Sequence, residues 1–244
     1  MWVQKVHSRK EAIYNVLKKN KDQGFFTTFS SWKTSTPHRL LILDSSFNPP
    51  TKAHANLLTK ALASRPANYF DASLLLFSVN NVDKQLTGAS ALQRAQMMEL
   101  MAHSFDHPVA VGFTTHGKFV DKAQAIQAWF ETPVELHFIL GFDTITRLFD
   151  PKYYTPIPVQ EALAPFFQSC HIICADRGET DPTFWDQIYE PIERIQLDAD
   201  LAFISSTLVR QQFATKDHDK LKSMLDPNIL QFIQDEKLYT QTHK

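Results

Sequence analysis

The chain is expected to fold as an α/β protein with a doubly wound, mostly parallel sheet. Short apolar runs alternate along it with segments of helical period. The runs fall at Leu40–Leu43, Ser73–Val79, Val109–Phe113, Val134–Leu140, His171–Ala175 and Ile195–Leu197. The first is continuously apolar, as a strand buried on both faces must be. With 244 residues, the chain can bury a sizeable core without disulfides or metals.

Each element has a local reason. Ser8-Arg9-Lys10-Glu11 has capping-box spacing and is expected to open a helix through Lys19, stopped near Gly24. Gly24–Trp32 then sets four aromatics among small polar residues. The expectation is an arm that packs its rings onto the domain. A docking surface for a protein partner or a second subunit is the alternative. The run Leu40–Leu43 ends in the small, polar and proline residues Ser45 to Pro50, which cannot continue a strand. The segment His54–Ala63 follows with Leu57, Leu58, Ala61 and Leu62 on one helical face. Further helical patterns lie at Ala89–Ser104, Lys122–Phe130 and Pro182–Tyr189. Tyr153–Pro158 is expected to be a proline-rich loop beside the site. Helices near Ser206–Phe213 and Asn228–Leu238 close the chain. There is no internal repeat, low-complexity tract or clear linker. The economical division is a helix and aromatic arm over 1–38 and one domain over 39–244.

Composition excludes several classes. The 25 basic and 26 acidic residues give no general electrostatic case for binding nucleic acid or a membrane. No apolar run approaches the length of a membrane span, and Met1–Lys10 lacks the apolar core of a signal peptide. Cys170 and Cys174, with His171 between them, read as small core residues. Their spacing is wrong for a bridge, and no second cluster completes a zinc pattern. No metal ligand from the protein is expected. Two reduced cysteines fit an intracellular protein, in the cytoplasm, the nucleus or both. Only six glycines are present, none as Gly-x-Gly-x-x-Gly after the first strand, which argues against a dinucleotide-binding dehydrogenase and a P-loop.

The chemistry concentrates after three strands. A strand, a tight loop and a helix start present backbone N–H groups and the positive end of a helix dipole to an anion. His54 lies in the first turns of that helix, where its ring can reach the same anion. Ser206 and Thr207 open a later helix, with Arg210 one turn on and able to clamp phosphate. Gly141-Phe142-Asp143 follows another strand. In open α/β sheets such strand ends gather around one crevice.

Ser46-Phe47-Asn48-Pro49-Pro50-Thr51-x-x-His54 resembles the nucleotide-binding signature of the nicotinamide mononucleotide adenylyltransferases, members of the nucleotidylyltransferase superfamily. Ile204-Ser205-Ser206-Thr207-Leu208-Val209-Arg210 is similar to the family's Ile-Ser-Ser-Thr-x-x-Arg, and Gly141-Phe142-Asp143 to its Gly-x-Asp. The resemblance runs from about Arg39 to the C-terminus and suggests a divergent branch of the kind found in fungi. It implies a Rossmann-like nucleotidylyltransferase fold and adenylyl transfer from ATP to nicotinamide mononucleotide (NMN), giving NAD and pyrophosphate. Mg²⁺ would be carried by the ATP phosphates. It implies His54 and Arg210 as catalytic residues. Ser45, Ser46, Phe47, Asn48, Thr51, Gly141, Asp143, Ser206 and Thr207 would join them in binding ATP. Lys84, Arg94 and Phe119 would meet the acceptor, with Arg177-Gly178 as a further loop near the site. Thr51 stands where sister branches carry a histidine.

Two positions depart from the family. Ser45 stands where it usually has glycine, and Phe119 near where it stacks the pyridine ring on a tryptophan; Trp129 is further along. Two alternatives stay open. One is an ATP-binding scaffold or weak ATPase, supported by Ser45 and the aromatic arm. The other is adenylyl or cytidylyl transfer to a different phosphorylated acceptor, against which Asn-Pro-Pro-Thr-x-x-His counts.

Overall fold

The computed structural model describes residues 1–32, 36–79, 88–176, 182–188, 190–215 and 217–240. The chain opens with α1 (Trp2–Ser8) and α2 (Lys10–Lys19). Here the expected single capped helix is corrected. The Ser8 hydroxyl donates back to the Lys5 carbonyl and closes α1, while α2 starts from Arg9 without a side-chain cap. Val3 and Val6 give α1 its own buried stripe.

The aromatic arm is a strand, β1 (Phe25–Ser30). There follow β2 (Arg39–Asp44), α3 (Lys52–Ala63), β3 (Ala72–Ser78), α4 (Ala91–Ala102), β4 (Val109–Thr114), α5 (Phe119–Trp129) and β5 (Glu135–Gly141). Next come α6 (Phe142–Leu148), α7 (Val159–Phe167), β6 (Cys170–Asp176), α8 (Pro182–Trp185) and β7 (Ile192–Gln196). Helices α9 (Ser206–Thr215), α10 (His218–Met224) and α11 (Pro227–Asp235) end the described chain. The pattern over 182–189 therefore yields a shorter helix than expected; Tyr189 lies outside the described residues. Helix α7 was not expected because Pro165 sits inside it and prolines precede it.

Among the described residues the strands form one sheet in the order β1-β4-β3-β2-β5-β6-β7. All neighbours are parallel except β1, which runs antiparallel along β4. The winding leaves β2 in both directions, first to β3 and β4, then to β5, β6 and β7. The switch point therefore lies between β2 and β5, and the loops after these two strands flank it. Alternate residues feed two cores. Leu41 and Leu43 join the side covered by α1–α4 and α9–α11. Leu40 and Ile42 join the side covered by α5–α8. Each such side chain, fully buried, contributes about 1.5–3 kcal/mol.

The arm's rings are used inside the fold. Phe25 goes to one core and Phe26 to the other, both buried. Gly112 on β4 admits Phe25, since a Cβ there would lie 2.7 Å from its ring. Cys170 and Cys174 are both buried in the α5–α8 core, and burial pushes the Cys170 thiol up to about 12. No helix among the described residues is long and apolar enough to cross a membrane.

Candidate active site

The loop after β2 is built around an unusual backbone. Phe47 has φ 45, in the left-handed region that bulky residues avoid, and its ring is fully buried. It wedges the turn against the core, its ring 5.3 Å from that of His54. The loop is then tied from two helices and from the segment after α11. Arg94 on α4 donates from Nη1 to the Ser46 carbonyl at 3.1 Å and from Nε to the Ala89 carbonyl at 2.9 Å. Arg210 on α9 donates to the Asn48 carbonyl at 2.6 Å and to the Thr207 hydroxyl at 3.0 Å. The Ser206 hydroxyl donates to the Pro49 carbonyl at 2.7 Å. Beyond α11, the Tyr239 hydroxyl donates to the Asn48 side-chain oxygen at 2.8 Å, which also accepts the Ala89 N–H at 3.1 Å. Gly88, with φ +81, allows this approach; a Cβ there would lie 2.7 Å from the Asn48 amide. Burial raises the Tyr239 phenol above its usual range, with the Arg94 and Arg210 guanidiniums acting against it. Burial lowers Arg94, and Arg210 adds to that.

His54 is locked at the third position of α3. Thr51 caps the helix and completes a capping box with it. The ring Nδ1 accepts the Thr51 N–H at 3.1 Å and lies 2.8 Å from the Thr51 hydroxyl. A nitrogen that accepts from a backbone N–H carries no proton, so the neutral ring holds its hydrogen on Nε2. Nε2 lies 3.0 Å from the Ser45 hydroxyl. The side chain at the position where the family usually has glycine thus meets the donor end of His54.

Two cavities meet here. One, of about 770 Å³, is lined by Ser46, Phe77, Lys118, Phe119, Lys122, Arg147, Tyr153 and Tyr154, among others. The other, of about 460 Å³, is lined by His54, Leu57, Ile139, Gly141 and Phe142, among others. Asp44, Ser45, Asp143 and Thr144 line both, at the switch point. Together they have room and mixed polarity for two nucleotides side by side.

The expected residues divide accordingly. Ser45, Ser46, His54, Gly141, Asp143 and Phe119 line the cavities. Asp143 is exposed and pairs with Arg147 one turn on at 3.1 Å. Phe119 stands edge-on to Phe138 with the Lys122 ammonium 4.5 Å over its ring. Trp129 is instead packed edge-on against Phe25, away from both cavities. Phe47, Asn48, Thr51, Arg94, Ser206, Thr207 and Arg210 line neither cavity; they hold the loop or His54. Arg94, expected to meet the acceptor, is buried under the loop instead. Lys84 and Arg177-Gly178 lie outside the described residues.

Sequence reasoning missed Asp44, Lys122, Gly88 and Tyr239. Asp44 and Lys122 form a nearly buried ion pair on the wall of the larger cavity. Burial pushes the Asp44 carboxyl up, and the Lys122 ammonium beside it works against that. A helix lysine far from every motif gives no spacing signal, although Asp44 directly precedes the loop.

Comparison with known proteins gives the family and the fold. Residues 42–212 match the model of the cytidylyltransferase-like family. The chain is 32% identical over 215 residues to a Schizosaccharomyces pombe protein provisionally named nicotinamide mononucleotide adenylyltransferase, covering 80% of this chain and 83% of that one. Its fold is similar to Plasmodium falciparum nicotinic acid mononucleotide adenylyltransferase, solved with NaAD and with APC. For the NaAD complex the TM-score is 0.64 at 17% identity, over 84% of this chain and 99% of that one. For the APC complex it is also 0.64 at 17% identity, over 85% and 100%. The chain therefore belongs to the cytidylyltransferase-like nucleotidyltransferases, within the nicotinamide mononucleotide adenylyltransferase family.

Proposed function

We propose that this enzyme transfers the adenylyl group of ATP to NMN, forming NAD and releasing pyrophosphate. The observation that carries the reading is the pair of cavities joined at Asp44, Ser45, Asp143 and Thr144, with His54 lining the smaller one and 3.0 Å from the shared Ser45. ATP fits the smaller cavity, with its ribose toward Asp143 and its phosphates at the loop after β2. The acceptor fits the larger one, its pyridine ring against Phe119.

A phosphate oxygen of the acceptor attacks the α-phosphorus in line. A new P–O bond forms, the bond to the α–β bridging oxygen breaks, and that oxygen leaves with pyrophosphate. The protein's part is positioning and charge stabilisation. His54 Nε2–H donates to the phosphate oxygens as charge develops. The first N–H groups of α9 and the Arg210 guanidinium stabilise the leaving phosphates, aided by a helix N-terminus. Mg²⁺ arrives on the ATP phosphates as part of the substrate.

One observation favours a second reading. The Ser45 hydroxyl takes the Nε2–H of His54, and Ser206 and Arg210 are engaged with loop carbonyls. A site so self-bonded would hold ATP yet transfer slowly, leaving a weak ATPase or scaffold. Incubation of the protein with ATP, Mg²⁺ and NMN decides between them. NAD formed in step with pyrophosphate is expected. ADP and phosphate without NAD would replace the transferase reading. Parallel reactions with nicotinate mononucleotide and other phosphorylated acceptors set the acceptor's identity.

A further inference from the structure

At the opposite end of the sheet lies a cluster that adenylyl transfer does not use. Glu135 is the first residue of β5 and His137 the third, so both side chains stand on one face. β6 runs alongside with His171 opposite His137. One Glu135 oxygen lies 2.6 Å from His137 Nε2 and 3.4 Å from His171 Nε2. A ligand atom from each residue falls within 4.8 Å of the others. The two imidazoles stack with centroids 4.5 Å apart.

The surroundings suit a built site. His137 is 2% exposed and is walled by the rings of Tyr69 and Phe70. Its Nδ1 makes no hydrogen bond among the described residues. A phenylalanine of similar shape would fill this aromatic niche without burying an unpaired nitrogen. What the imidazole adds is Nε2, turned toward Glu135 and His171. Of the neighbouring cations, Arg65 pairs with Glu193, while Arg39 faces the second Glu135 oxygen at 3.6 Å and leaves the first to the two imidazoles. The His171 side chain is 47% exposed and gives a path from solvent.

We propose that Glu135, His137 and His171 bind one divalent transition ion with zinc-like preferences, leaving its fourth position to water. Two imidazole nitrogens and one carboxylate oxygen form a common zinc ligand set, and imidazole disfavours Mg²⁺ and Ca²⁺. Ligand atoms around such an ion stand about 2.0–2.2 Å from it. An ion would displace the proton held between Glu135 and His137 and open their 2.6 Å contact, while the half-exposed His171 turns in beside them.

The test uses the full chain, stripped of metal and free of any polyhistidine tag. Co²⁺ is titrated while its visible ligand-field bands are followed, then Zn²⁺ is added in competition, with excess Mg²⁺ present throughout. One equivalent of Co²⁺, with bands of tetrahedral intensity and displacement by Zn²⁺, is expected. His171→Ala should weaken binding about tenfold or more and leave ATP-dependent turnover unchanged. Zn²⁺ should also raise the melting temperature of the parent and not of His171→Ala, since an ion that binds only the folded state stabilises it. His116→Ala, which changes a histidine outside the cluster, should bind like the parent. Absence of stoichiometric uptake, or equal uptake by His171→Ala, overturns the proposal. Because the cluster is remote from His54, failure here leaves the transferase reading intact.

Discussion

The loops after β2 and β5 face each other across the switch point, yet they are held in different ways. Between Ser46 and Pro49, three backbone carbonyls and the Asn48 amide accept bonds from α4, α9, Ala89 and Tyr239. The loop even keeps Phe47 in a left-handed conformation, which persists only where surroundings over-determine it. After β5, Asp143 and Arg147 have side chains 82% and 61% exposed, joined mainly to each other. Under the proposed function the contrast separates two tasks. A loop that must aim donors at a developing charge needs rigidity. A loop that reads sugar hydroxyls needs only a carboxylate within reach.

In the proposed mechanism His54 is where the rigid side meets the chemistry, so its loss should have the largest effect. His54→Ala is expected to lower kcat on the order of 100–1000-fold, the usual cost of removing one donor to a transition-state oxyanion. The same change removes the His54 half of the Thr51 capping box, at about 1 kcal/mol of stability. Single-turnover rates beside a melting curve separate the two effects. Near-parental turnover in a folded variant would remove His54 from the mechanism.

Arg210→Ala tests the bracing itself. Its guanidinium bonds to the Asn48 carbonyl, and a hydrogen bond to a charged group contributes roughly 1.5–3 kcal/mol. The melting temperature should fall, and KM for ATP should rise with it. Arg210→Lys should recover charge but not the two-pronged grip, and so only part of either. Unchanged stability would mean that the loop does not depend on α9.

The two loops also differ in how legible they were. The apolar runs located β2 to β6 because burial on both faces leaves little polar interruption, whereas the run Ile195–Leu197 met only the last two residues of β7, a half-exposed edge strand carrying Glu193 and Arg194. The loop after β2 was legible because proline, asparagine and a capping histidine fall at the family's spacing. The bracing was not, since Tyr239 meets Asn48 across 191 positions and no period links them. Lys122 and Asp44 are likewise joined only by the fold. β1 was hidden because four aromatics among small polar residues describe a packed arm as well as an edge strand. The Glu135–His137–His171 cluster was invisible for a related reason: zinc spacings along a chain do not describe ligands on neighbouring strands.

Ser45→Gly asks whether the braced side is also detuned. The change removes a hydroxyl 3.0 Å from His54 Nε2 and frees that donor for the substrate. A neutral hydrogen bond contributes about 0.5–1.5 kcal/mol net, so kcat should rise about two- to tenfold. A fall in kcat instead would mean that Ser45 positions the ring or itself meets the phosphate.

The smallest effect on stability is expected at Asp143, and that makes it the sharpest test of the open side. Its exposed pair with Arg147 contributes about 0.3–0.5 kcal/mol at most. Asp143→Ala should therefore melt with the parent. A Cβ at Gly141 would lie 2.9 Å from the Asp143 carboxylate, so this turn keeps the group close to the strand end, where both cavities meet. If the carboxylate accepts from a ribose hydroxyl, KM for ATP should rise about tenfold while kcat changes little, the signature of binding shared by ground and transition states. An equal drop in kcat would place Asp143 with the chemistry. No change in either would leave this loop as wall alone, with recognition of the adenosine falling to the backbone around Gly141.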